Sequence, residues 1–106
     1  MSITILVTYK PKPGTDRAAA KAQPEVAAPK FAALEGLQTK YFLYYEAEGL
    51  GGGFYIWPSC EQAEAFHCEA WLVSMEELMG SRPECPFFET NVIVDNQAGE
   101  VLVEAA

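Results

Sequence analysis

A single histidine stands in this chain, and its neighbours make it the first candidate for chemistry. His67 lies four residues after Ala63 and four before Trp71, so on a helix the imidazole and the indole share one inward edge, with Phe66 beside them. An imidazole against an apolar wall can exchange a proton near neutral pH. The other role open to it is a helix-edge histidine that only hydrogen-bonds or meets water. Arg82 is the only cation after Lys40 and sits in a Gly80-Ser81-Arg82-Pro83 loop. It can hold an anionic substrate oxygen or a developing negative charge, or pair with one of the many glutamates. Tyr41, Tyr44, Tyr45 and Tyr55 offer phenols that either line an aromatic-accepting pocket or pack in core and interface with each hydroxyl at an edge. Lys40 reads as an outward strand lysine more readily than as a ligand group.

Other patterns exclude chemistry. Gly49-Leu50-Gly51-Gly52-Gly53 is not a phosphate loop, because such a loop opens a helix whose amides hold the phosphate. Here the run joins two strand-like stretches, and it reads as a turn. Cys60 and Cys68, eight residues apart, stand about 12 Å apart along a helix, too far for one metal. His67 does not complete a tetrahedral set with them. Cys85 lies between Glu84 and Pro86, where nearby acids raise rather than lower a thiol pKa.

These residues are positioned by six elements. Residues 2–9, rich in Ile, Val and Thr, form a strand stopped at Pro11 and Pro13. Thr15 or Asp16 caps a following alanine-rich helix to Leu34, which Pro24 and Pro29 break or divide in two. Gly36 ends it. Residues 38–45 and 54–57 form a hairpin around the turn from Glu46 to Gly53. Ser59 with Gln62 makes a capping box for a helix from about Cys60 to Val73, with a further short turn ending near Gly80. Phe87 to Val94 is the fourth strand, and residues 101–103 are a terminal strand or an arm crossing a dimer. The order β-α-β-β-α-β gives an α+β, ferredoxin-like fold with an antiparallel sheet, in one domain spanning residues 1–106. Both parities of the second strand are apolar, whereas a sheet with one wet face alternates. A second copy covering the open face is the simplest remedy, so a homodimer is expected.

Composition narrows the partners. Half of the 106 residues are apolar, and the net charge is −8. Residues 41–106 hold twelve acids against Arg82 alone, a surface that repels phosphate backbones, so nucleic acid is not an expected partner. No run approaches the ~20 apolar residues of a membrane span, and the first residues lack the pattern of a signal peptide. Three cysteines, an odd number, argue against a disulfide framework. A cytoplasmic protein is the resulting expectation.

Three segments carry a family likeness: Glu35-Gly36-Leu37-Gln38-Thr39-Lys40-Tyr41-Phe42, Gly52-Gly53-Phe54-Tyr55-Ile56-Trp57, and Ala63-Glu64-Ala65-Phe66. In their order and spacing the chain resembles the YdhR-like monooxygenases of the dimeric α/β-barrel superfamily, relatives of the antibiotic-biosynthesis monooxygenases. The chain departs from that pattern at Glu35 in place of proline, Thr39 in place of tryptophan, and His67 in place of an amide. The resemblance implies a homodimer with a cavity between sheet and helices in each subunit, and cofactor-free oxidation of phenolic compounds to quinones. It implies a site made of His67 and Trp71, Arg82, and Tyr44 or Tyr55. On this view His67 deprotonates a bound phenol, Arg82 or a tyrosine steadies the oxyanion, and the phenolate reacts with oxygen without a cofactor. A non-catalytic homodimer binding a small apolar ligand uses the same pocket with Phe66 and Trp71. Haem binding would need His67 as the axial ligand.

Overall fold

Alternation of Ile3, Ile5 and Val7 with Thr4, Leu6 and Thr8 places an apolar row of the first strand on one face and a mostly polar row on the other. The computed structural model describes residues 1–104, and in it this strand, β1 (Ile3–Tyr9), is central. It pairs antiparallel with β3 (Leu50–Trp57) on one side and β4 (Phe87–Glu89) on the other. β3 in turn pairs antiparallel with β2 (Thr39–Tyr45). The sheet order is β2-β3-β1-β4, an α+β arrangement.

Register decides which side chains share a face. Ile5 stands opposite Tyr55, and Tyr55 opposite Lys40, so these three point to the side that the helices cover. There Ile3, Ile5, Val7, Tyr55, Trp57 and Ala63 form the buried core. The other face carries Tyr41 and Leu43 at 58% and 41% exposure, with Tyr45 and Phe88 also open. Tyr41 stacks on Phe54 there, ring centres 5.3 Å apart. This is why both parities of β2 are apolar.

The first helix, α1 (Arg17–Ala32), is capped by Asp16, whose side chain accepts from the Ala19 amide at 2.8 Å. It runs unbroken through Pro24 and Pro29, against the expectation of a divided helix. The two prolines remove amides that would have bonded the carbonyls of Ala20 and Glu25. Because α1 buries no residue, those carbonyls are not trapped in an apolar core, and the helix tolerates the loss.

The second helix departs in the opposite direction, being two helices. Ser59 caps α2 (Cys60–Phe66), accepting from the Gln62 amide, and α3 (Glu69–Met79) follows after a break at His67 and Cys68. The glycine run is strand rather than turn. A short 3-10 turn at Glu46–Glu48 ends on Gly49, whose φ of 60° is a left-handed turn conformation, and β3 begins at Leu50. The expected fourth strand to Val94 divides as well. β4 stops at Glu89, and β5 (Val92–Asp95) forms a separate antiparallel hairpin with β6 (Glu100–Val103). Asp95 Oδ1 accepts from the Gln97 and Ala98 amides at its turn, and Val92, Val94, Val101 and Val103 are all exposed. No helix among the described residues is long and apolar enough to cross a membrane.

Candidate functional site

Short side chains on two facing walls leave a space between α1 and the sheet. The α1 wall includes Ala20, Pro24 and Ala27, and the floor includes Gly52 and Gly53 of β3. Neither side can fill the gap that the larger residues hold open. The resulting cavity has a volume of about 870 Å³, the size of a ligand site. Phe31, Phe42, Tyr55, Phe66, Trp71 and Met75 give it an aromatic, apolar wall. Phe31 is the strut from α1 to the sheet, with its ring 5.4 Å from Phe42, 6.3 Å from Tyr55 and 6.2 Å from Phe66.

Lys40 is the polar group of this wall, not the outward strand lysine of the sequence reading. Its side chain turns to the helix side of β2, and Nζ lies 3.8 Å from the Tyr55 ring centre, 4.3 Å from Phe42 and 5.1 Å from Phe31. Three π faces compensate part of the ammonium's lost hydration. No carboxylate pairs with it among the described residues. Burial lowers its pKa to about 8, so it is mainly charged at neutral pH yet gives up its proton far more easily than a surface lysine. Gly53 makes room for it, since a Cβ at that position would fall on Lys40 Nζ and the Tyr55 ring. The glycines that read as a turn are therefore part of the cavity floor.

The structure corrects the expectation for His67. It is the C-terminal cap of α2, its amide donating to the Ala63 carbonyl at 2.9 Å. The ring is 6% exposed and packs edge-on against Tyr55, Phe66 and Trp71 at 4.5, 4.7 and 4.6 Å. Those three rings line the cavity and His67 does not; it backs the wall they form. The Trp57 indole N–H donates to His67 Nε2 at 3.1 Å, which assigns the ring proton to Nδ1. Nδ1 has no hydrogen-bond partner among the described residues. Burial, with the nearby Lys40 charge, lowers the pKa to about 4. His67 is thus a neutral core histidine whose lone pair is engaged. That arrangement does not fit a haem axial ligand, nor a base acting directly on a cavity ligand.

Arg82 is also placed elsewhere. Its guanidinium makes two parallel bonds to the Glu69 carboxylate, at 2.7 and 2.9 Å, on the exposed surface, and it does not line the cavity. The pairing raises the Arg82 pKa and lowers that of Glu69. Tyr44 does reach the cavity, and its hydroxyl donates to the Thr15 carbonyl at 2.8 Å, tying β2 to the loop before α1. Tyr55, Phe66 and Trp71 meet there as the wall. Desolvation raises the Tyr55 phenol pKa, so this tyrosine stays protonated. Burial pushes the Cys85 thiol up to about 11, which makes it a poor nucleophile. Among the described residues no three His, Cys, Asp or Glu side chains converge on one point.

Sequence reasoning brought Tyr44, Tyr55, Phe66 and Trp71 to one place and missed the role of Lys40. The available signal was a glycine diagonal to a lysine on one face of two paired strands, Gly53 being opposite Phe42 and Tyr55 opposite Lys40.

No family model matches the chain, and no curated protein sequence matches it. Among solved structures, it is similar to the crystal structure of NE2512, a protein of unknown function from Nitrosomonas europaea. The TM-score is 0.64 at 19% identity, over 84% of this chain and 88% of the other. A likeness of that kind speaks for a shared α+β fold and leaves the chemistry to the residues of this chain.

Proposed function

We propose that the chain binds a small aromatic phenol in the cavity over Lys40 and oxidises it with molecular oxygen, as a cofactor-independent monooxygenase. The observation that carries this reading is the unpaired Lys40 amine set in a wall of Phe31, Phe42 and Tyr55. An aromatic ligand finds its apolar surface there, and its hydroxyl finds one cationic partner. The neutral fraction of Lys40 takes the phenolic proton, and the ammonium so formed stays beside the phenolate. The ring carbon para to that oxygen bonds to O2, and loss of water leaves a quinone. One oxygen atom enters the product and the other leaves as water, the electrons coming from the phenol. In this reading Lys40 takes the place expected for His67 and Arg82, and Trp71 and Phe66 position the ring.

The same proposal extends to architecture. The strand order β2-β3-β1-β4 with both helical segments on one face supports a ferredoxin-like fold in a single domain, and a dimeric α/β barrel of the YdhR-like kind. The open face, with Leu6, Tyr41, Leu43, Tyr45 and Phe88 exposed, supports a homodimer formed through it. The exposed β5–β6 hairpin, too small to be stable alone, adds apolar surface for the same interface. The free Cys60, Cys68 and Cys85 support a cytoplasmic setting.

The test is incubation of the pure protein in air with hydroxylated naphthalenes and anthracenes, following quinone absorbance and oxygen uptake together. Turnover by wild type and its loss in Lys40→Met are expected. A non-catalytic ligand-binding homodimer is the second reading, favoured by one fact: neither His67 nor Arg82 reaches the cavity. Saturable binding with no oxygen uptake from any phenol would decide for it.

A further inference from the structure

The chain carries 15 acids and 7 bases, yet the cavity's charged lining runs the other way. Lys12, Arg17, Lys21, Lys30 and Lys40 line it, and no Asp or Glu does. Among the described residues Lys21 pairs with Glu25 at 3.7 Å, both side chains largely exposed, and the Arg17 amide donates to Glu46 Oε2 at 3.2 Å, while the Arg17 guanidinium makes no ion pair. In a protein of net charge −8, gathering most of the bases around one void and keeping every acid out of its lining is a selective arrangement. A concave apolar wall with charge of one sign concentrates the field inside it.

The bases are not evenly spread along the cavity. Lys40 lies at the start of β2 beside Phe31, near the C-terminal end of α1. Lys12, Arg17 and Lys21 belong to the other end, where Tyr44 reaches the Thr15 carbonyl. Lys40 and Tyr44 are separated by four residues of strand, about 14 Å. Lys40 among aromatic rings, with Lys30 in the last turn of α1, therefore marks one end, and a basic mouth lies roughly the length of a two- or three-ring aromatic away from Lys40.

We infer that the cavity's ligand is an elongated aromatic carboxylate, its hydroxyl end at Lys40 among Phe31, Phe42 and Tyr55, and its carboxylate at the mouth formed by Lys12, Arg17 and Lys21. This rests on the proposed binding of a phenol in the cavity and adds the second, anionic end. Arg17 supplies the planar fork that matches a carboxylate, and Lys12 and Lys21 supply mobile charges at the rim.

The experiment is calorimetric titration of the full chain with 6-hydroxy-2-naphthoate and with its methyl ester, which differ only in the charge at one end. Wild type should bind the acid at least about tenfold more tightly than the ester. That advantage should shrink to within about threefold in Arg17→Ala/Lys21→Ala and, for wild type, when salt is raised to screen the mouth. Both substitutions lie on exposed helix positions, and the salt series reads the same interaction in the unaltered protein. Equal binding of acid and ester, or an acid preference that survives both the substitutions and salt, overturns the inference and leaves the phenol-binding cavity standing. Binding of neither compound overturns the cavity reading and this inference with it.

Discussion

Lys40 and Tyr55 face each other across the β2–β3 ladder, with the ammonium 3.8 Å from the centre of the phenol ring. A cation without a carboxylate partner, held by aromatic faces at the edge of a large cavity, is costly to the fold. The folded chain holds Lys40 with a pKa of about 8 against 10.5 in the open chain. Stability is therefore lost as pH falls from 10.5 to 8, and below 8 the penalty is constant. Lys40→Met removes it. With the lost cation–π contacts set against the gain, the variant should be more stable than wild type at pH 7 by about 1 kcal/mol. Urea midpoints measure this, and a variant less stable than wild type would contradict it.

Gly53 and Gly52 should respond differently to a side chain. A Cβ at Gly53 would fall on Lys40 Nζ, the far end of a flexible side chain, with the Tyr55 ring next to it, so Gly53→Ala pushes the amine out of its cage. Weaker phenol binding is expected, with a urea midpoint close to that of wild type. A Cβ at Gly52 would fall on the Val7 backbone carbonyl, which cannot step aside, so Gly52→Ala should destabilise by about 1–3 kcal/mol. Equal midpoints for the two variants would contradict this.

His67 should act on stability as a function of acid. The folded chain keeps it neutral to about pH 4, while the open chain protonates near 6.5. Its contribution is intact above 6.5 and is lost as pH falls through that window, on the order of 3 kcal/mol in all. Wild type and His67→Gln should therefore converge in stability between pH 7 and pH 4.5. A difference that does not change with pH would contradict the assignment. Trp57→Phe, which strips the donor from His67 Nε2, should cost about 1–3 kcal/mol.

Arg82 should matter little. Its pairing with Glu69 lies in solvent, where such contacts contribute weakly. Arg82→Ala is expected to match wild type in thermal midpoint and in phenol binding, both read on the same preparation. A marked loss of binding would return Arg82 to the site.

The open sheet face supplies a test of assembly. Leu43→Glu sets a charge in the centre of the Tyr41, Leu43 and Tyr45 strip. Light scattering should give twice the 11.6 kDa chain mass for wild type and the single-chain mass for the variant. A wild-type monomer would rule out the homodimer.

Much of this was legible in the chain, and the failures have a common cause. β-branched alternation marked β1, and the Ser59–Gln62 pair marked the start of α2. The break at His67 went unread because helical periodicity continues across it: Trp71 still comes to 4.6 Å from His67, although the two lie in different elements. Gly51 to Gly53 looked like a turn because glycine is rare in strands. Its use there comes from across the fold, where Lys40 and Tyr9 need the space. The alanines of α1 read as helix propensity, and only the facing strand shows that their shortness also leaves a cavity. Local pattern reports elements well, but a void belongs to two walls distant in sequence.

The most direct measurement is an NMR titration of the Lys40 side chain in lysine-labelled protein, with and without saturating 2-naphthol. The account predicts a midpoint near 8 in the free protein and a higher midpoint with the phenol bound, because the phenolate stabilises the ammonium. A midpoint that 2-naphthol does not move, with Lys40 titrating like an ordinary surface lysine, would contradict it.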